Sequence, residues 1–81
     1  MKIETLEKIF EYASMPVHGT LSRKTRKDLK LQINEGKIYE NAALFIGEGF
    51  IRITEQVDKE ATNTYYGWEK IASIRTISKA E

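Results

Sequence analysis

Residues 29–53 read LKLQINEGKIYENAALFIGEGFIRI, and the reading of this stretch decides the fold. Leu29, Leu31 and Ile33 alternate with Lys30, Gln32 and Asn34, the period-two pattern of a strand with one buried face. Asn34-Glu35-Gly36 is a turn signal, with Gly36 free to take positive φ. Residues 37–46 continue as a second strand. Gly47-Glu48-Gly49 marks a second turn, and Phe50, Ile51 and Ile53 form a third strand with Arg52 and Thr54 outward or at its edge.

On the C-terminal side, residues 56–62 (QVDKEAT) are polar and read as an exposed loop. Residues 63–66 (NTYY) make a short fourth strand of β-favouring residues, in which Tyr65 and Tyr66 face opposite sides. Residues 67–70 turn the chain, and a fifth strand covers about residues 72–77. On the N-terminal side the period changes. Ile3, Leu6, Phe10 and Ala13 form one apolar stripe at helical spacing, Ile9 widens it, and Glu4 precedes Lys8 by one turn, so residues 2–14 read as a helix. Pro16 biases Met15 away from the helical region and ends the helix near Ser14. Residues 17–25 leave a loop or a short strand open, Gly19 marking a turn. The expected fold is mainly β: an N-terminal helix, then five short antiparallel strands curled into a small, strongly bent barrel with the helix across one open end. One domain fills residues 1–81, as helix 2–14, basic linker 15–28 and barrel 29–77.

Composition narrows the chemistry. At 81 residues there is room for one core only. With no Cys and one His, disulfides, thiol chemistry and Cys- or His-based metal sites are excluded, and no cofactor or metal is expected. The first ten residues carry too many charges for a signal-peptide core, and no uncharged stretch approaches the roughly 20 residues of a spanning helix, so a cytoplasmic protein without a membrane partner is expected. The net charge of +1 hides a local cluster, Arg23, Lys24, Arg26, Lys27 and Lys30, opposed only by Asp28. Such a cluster attracts phosphates or simply keeps a strand edge soluble. No enzymatic constellation emerges. His18 has no second His near it, Glu48 has no partner acid or nucleophile, and Gly47-x-Gly49 is followed by no helix that would make it a nucleotide fingerprint.

The helix-then-strands order, the Leu29–Gly36 segment, the turn at Gly47-Glu48-Gly49 and the Tyr65-to-Ile74 segment (YYGWEKIASI) together resemble the Sm/LSm-like family, including its bacterial Hfq branch. Asn41 stands where that family's second strand carries a bend-permitting glycine. The resemblance implies a non-catalytic, Sm-like (SH3-like) barrel subunit. Copies would join fourth strand to fifth strand into a closed homo-oligomeric ring of about five to seven subunits. It also implies that single-stranded RNA binds on a ring face or pore. By position in the family, the RNA-binding residues would be Glu48, Tyr66, Trp68 and Lys70, with Arg23, Lys24, Arg26 and Lys27 as a phosphate-attracting rim. Trp68 is open between stacking on a base and packing at an interface or over the barrel end. Arg52 is open between lining a pore and extending from a strand edge. The alternative is a protein-interaction or scaffold module of small-barrel or pleckstrin-like shape, without nucleic-acid binding. A helix at the start and none at the end separates the Sm-like order from the pleckstrin-like one.

Overall fold

The computed structural model describes residues 1–80. Helix α1, Ile3–Ala13, buries Leu6, Phe10 and Ala13 of the expected apolar stripe completely, while Ile3 at its start stays exposed. It ends where Ser14 turns extended (φ −141°, ψ 170°), just ahead of Pro16. The last turn contains no basic residue of its own, so its unpaired carbonyls and negative dipole end need outside donors. They come from the segment expected to be a linker. Arg23 Nη2 donates to the carbonyls of Glu11 and Ser14 at 3.2 Å each, and Arg23 Nε donates to Ser14 Oγ at 2.7 Å. Arg26 Nε donates to the Tyr12 carbonyl, and the Arg26 amide to that of Ala13 at 3.0 Å.

That segment is therefore not a plain basic linker. Strand β1, Ser14–Pro16, pairs antiparallel with β2, Arg23–Thr25, around a turn in which Gly19 takes φ 81°. Beyond them run β3 (Leu29–Ile33), β4 (Ile38–Tyr39), β5 (Ala43–Ile46), β6 (Phe50–Val57) and β7 (Glu60–Gly67). A 3-10 turn, Trp68–Lys70, follows, and then β8, Ile74–Ser78. Two antiparallel sheets result, in the orders β1-β2-β5-β6-β7 and β4-β3-β8. Neither sheet closes on itself. No helix follows β8 among the described residues, and no helix among them is long and apolar enough to cross a membrane.

Two further sequence expectations need correction. The second strand does not run unbroken over residues 37–46. Asn41 takes φ 55°, the left-handed region that Asn tolerates better than most residues, and the chain leaves one sheet at Tyr39 and enters the other at Ala43. Residues 56–62 are not a loop either. Strands β6 and β7 stay paired as far as Val57 and Glu60, and only Asp58 (φ 58°) and Lys59 turn. Both faces of this arm meet solvent, so its polar composition mimics that of a loop.

The two sheets and α1 share one core: Leu6, Phe10, Leu29, Leu31, Ile33, Tyr39, Leu44, Ile51, Ile53, Trp68 and Ile71, with Ala13 and Ala42 where the backbones come close. Each large aliphatic buried there stabilises the fold by about 1.5–3 kcal/mol. Asn34 ties the end of β3 to the segment that leads into β8. Held at φ 57°, it donates from Nδ2 to the Lys70 carbonyl (3.0 Å) and accepts at Oδ1 from the amides of Ala72 (2.8 Å) and Ser73 (3.3 Å).

Candidate nucleic-acid interface

Side chains alternate across a strand, so the core residues of β5 to β7 define the opposite, outer face. With Leu44, Ile51 and Ile53 buried, Ala43 and Phe45 of β5 point outward, as do Phe50, Arg52, Thr54 and Gln56 of β6. The register aligns them into rows across the sheet. One row runs Phe45–Arg52–Tyr65, and the next runs Met15–Lys24–Ala43–Thr54–Asn63. Phe50 lies opposite Gly67, and the Glu69 carboxylate lies over that glycine, with Oε1 2.9 Å from where a Cβ would stand.

The rings form a continuous platform. Phe45 and Phe50 have centroids 6.1 Å apart, and Phe50 and Tyr65 5.8 Å apart, with Tyr65 60% exposed. The Arg52 guanidinium lies 5.1 Å from the Phe45 centroid, a cation–π distance, and its Nε is buried with no hydrogen-bond partner among the described residues. Gly47 shapes one edge. A Cβ there would sit 2.8 Å from the Phe50 ring, so only glycine lets that ring lie over the turn, while the Gly47 amide donates to the Phe50 carbonyl at 2.8 Å. Glu7 and Glu48 border a depression of about 680 Å³ at this end. Away from it, the outer rows of the five strands hold the cations Lys24 and Arg52 and no carboxylate. Glu55 and Glu60 belong to the opposite face by register.

Of the residues expected from the resemblance to bind RNA, Lys24 alone lies in the outer rows of this face. Trp68 is 5% exposed: its ring stands 6.0 Å from Phe10 beneath α1, and its Nε1 donates to the Glu48 carbonyl at 2.8 Å. The ring faces are spent on packing, so a stacking role for Trp68 has no surface to act through. Tyr66 points to the inner side, where its hydroxyl meets that of Tyr39 at 2.6 Å and the two rings meet edge to face. Burial, with the Tyr39 hydrogen bond second, pushes the Tyr66 phenol well above its ordinary range. Arg23 and Arg26 cap α1. Lys27 is exposed in a separate depression of about 580 Å³ beside Tyr12 and Lys79, and Lys70 is exposed on the 3-10 turn. Glu48 is exposed in its turn and contributes its carbonyl to Trp68. Arg52 lies on the open sheet face over Phe45.

Phe45, Phe50, Tyr65 and Asn63 escape a residue-by-residue reading. A signal was present: counting in twos from Leu44 and from Ile51 sets Phe45, Phe50 and Arg52 on one outward face. No family model matches the chain, and no curated protein or solved structure shows significant similarity to it.

Proposed function

We propose that this chain is a non-catalytic, Sm-like small-barrel protein that binds single-stranded RNA on the outer face of its five-stranded sheet and assembles through its free strand edges. The observation that carries the reading is that face itself: three neighbouring aromatic rings with the cations Lys24 and Arg52 in their own and the next row. Rings accept the faces of any base, and each stacked base contributes about 1–3 kcal/mol, while cations meet phosphate. The barrel reading is supported by the bend at Asn41, which carries one chain segment from sheet to sheet around a shared core, and by a helix that precedes the strands. Ring assembly is supported by β7 and β8, each hydrogen-bonded along one side only.

Lys24, Arg52, Phe45, Phe50 and Tyr65 make the contacts, and Lys27 and Lys70 contribute longer-range attraction. Fluorescence anisotropy with labelled oligo-U and oligo-A at low salt tests this. Binding is expected, weakening as salt rises and lost in Tyr65→Ala combined with Arg52→Ala. Absence of binding at low salt overturns the nucleic-acid reading.

A further inference from the structure

The depression of about 680 Å³ at one end of the outer face has an apolar floor of Phe45, Ile46 and Phe50 and carries Glu7 and Glu48 at its rim. Glu7 comes from α1 and Glu48 from the turn between β5 and β6, so two separate elements bring the same charge to one hollow. Beside Phe50, the Glu69 carboxylate lies over Gly67. No cation lines the hollow, and no ion pair among the described residues uses Glu7 or Glu48. Lys8, the next residue of α1, lies on the other flank of the helix, beside Ile9, Tyr12 and β8. Gly49 faces open space, so the turn leaves the hollow accessible from outside. A phosphate is repelled here, and a cation is drawn in. Flat rings beside carboxylates suit one cation best. A guanidinium stacks on an aromatic face while its N–H fork meets a carboxylate, whereas an ammonium is a strongly hydrated point charge without that plane or fork. The same face already holds such a pairing once, in Arg52 over Phe45 at 5.1 Å. A second copy of this chain does not supply the arginine. Arg23 and Arg26 cap α1, Arg52 covers Phe45, and Arg75 Nη1 donates to Gln32 Oε1 at 3.1 Å, which engages every arginine of the chain.

We propose that the hollow between Glu7 and Glu48 docks an arginine side chain of a different, basic protein, stacked against Phe45 and Phe50. This adds a protein partner to the RNA-binding reading and does not depend on it.

The probes are labelled four-repeat peptides of Gly-Arg, Gly-Lys and Gly-citrulline. Their binding is followed by anisotropy and by amide NMR shifts on the wild type and on Glu7→Gln, Glu48→Gln and Phe50→Leu, all checked by thermal melting. The arginine peptide is expected to bind saturably, with shifts centred on residues 45–50 and on Glu7. The lysine peptide binds about two- to fivefold more weakly, the share of one exposed cation–π contact. The citrulline peptide, of the same shape without the charge, does not bind. Each glutamine weakens the arginine peptide by about two- to fivefold, the share of one exposed ion pair. Phe50→Leu erases the preference for arginine over lysine. The proposal is overturned if no peptide binds saturably at millimolar concentration, or if the citrulline or lysine peptide matches the arginine peptide. Shifts centred elsewhere overturn it too, as does full affinity in both glutamine variants. Oligo-U binding is read separately, and neither glutamine is expected to weaken it.

Discussion

Asn34 shows how much one side chain can hold. Its position after Ile33 was legible as a turn, but its three hydrogen bonds reach residues 70–73, and no local pattern announces a contact that distant. Replacing it with Ala removes those bonds and leaves a β-carbon at φ 57° without the compensation Asn finds there. Asn34→Ala is expected to cost about 2–3 kcal/mol in urea unfolding, with the m-value unchanged. A loss below about 0.5 kcal/mol would show that the staple is dispensable. Tyr66 makes a prediction about pH. Its phenol is raised above the ordinary value of 10.0, chiefly by burial. Below that ordinary value the folded and unfolded chains both keep the proton, and the contribution is complete. Above it the unfolded chain ionises first, so stability falls as pH rises. The Lys37 ammonium, raised by its hydrogen bond to Glu55 at 2.7 Å, acts in the same direction. The urea midpoint is therefore expected to fall from about pH 10 upward. In Tyr66→Phe it starts lower, because the Tyr39 hydroxyl loses its partner, but falls less steeply. Parallel curves for the two proteins would remove Tyr66 from the effect.

At the level of elements, periodicity did well where one face of a strand is buried and failed where neither face or both sheets are involved. Helix α1 and strand β3 follow directly from spacings of three to four and of two. The outer arm of β6 and β7 does not, since a hairpin exposed on both sides has the composition of a loop. The bend at Asn41 depends on two sheets converging, which a local window cannot see. The basic segment shows the same limit for function. Five cations look equivalent in the sequence, yet Arg23 and Arg26 are committed to the carbonyl end of α1 and only Lys24 reaches the aromatic face. The aromatic face itself emerges only once three strands are in register. This division of labour is measurable. Arg23→Ala is expected to lower stability by about 1–2 kcal/mol by uncapping the helix. It should leave the slope of RNA affinity against salt nearly intact. Lys24→Ala should leave stability within about 0.5 kcal/mol and reduce that slope by about 0.7, the share of one phosphate contact to a single strand. A slope that drops with Arg23 and not with Lys24 would move the phosphate path off the outer sheet face.

At the scale of the whole molecule, the unpaired backbone is what demands explanation. Among the described residues strand β7 offers eight residues whose outer side has no partner and β8 offers five, both antiparallel to their inner neighbours, while the other two edges, β1 and β4, are only three and two residues long. Apart from Lys59 in its turn, β7 carries no lysine, proline or bulge of the kind that blunts an edge against association. A chain of 81 residues has little stability to spare, and pairing β7 of one copy with β8 of the next adds backbone hydrogen bonds without new core residues. Because the two edges differ, the contact is head to tail, and it closes into a ring if the rotation between copies divides a full turn. Assembly would also repeat the aromatic face around the ring, so that one RNA strand meets several weak sites at high effective concentration. Light scattering at micromolar concentration is expected to give a sharp mass of about five to seven times 9.4 kDa. Oligonucleotides long enough to bridge two subunits should bind at least tenfold tighter than short ones. A mass of 9.4 kDa across the micromolar range rules out the ring, and the length dependence must then vanish with it.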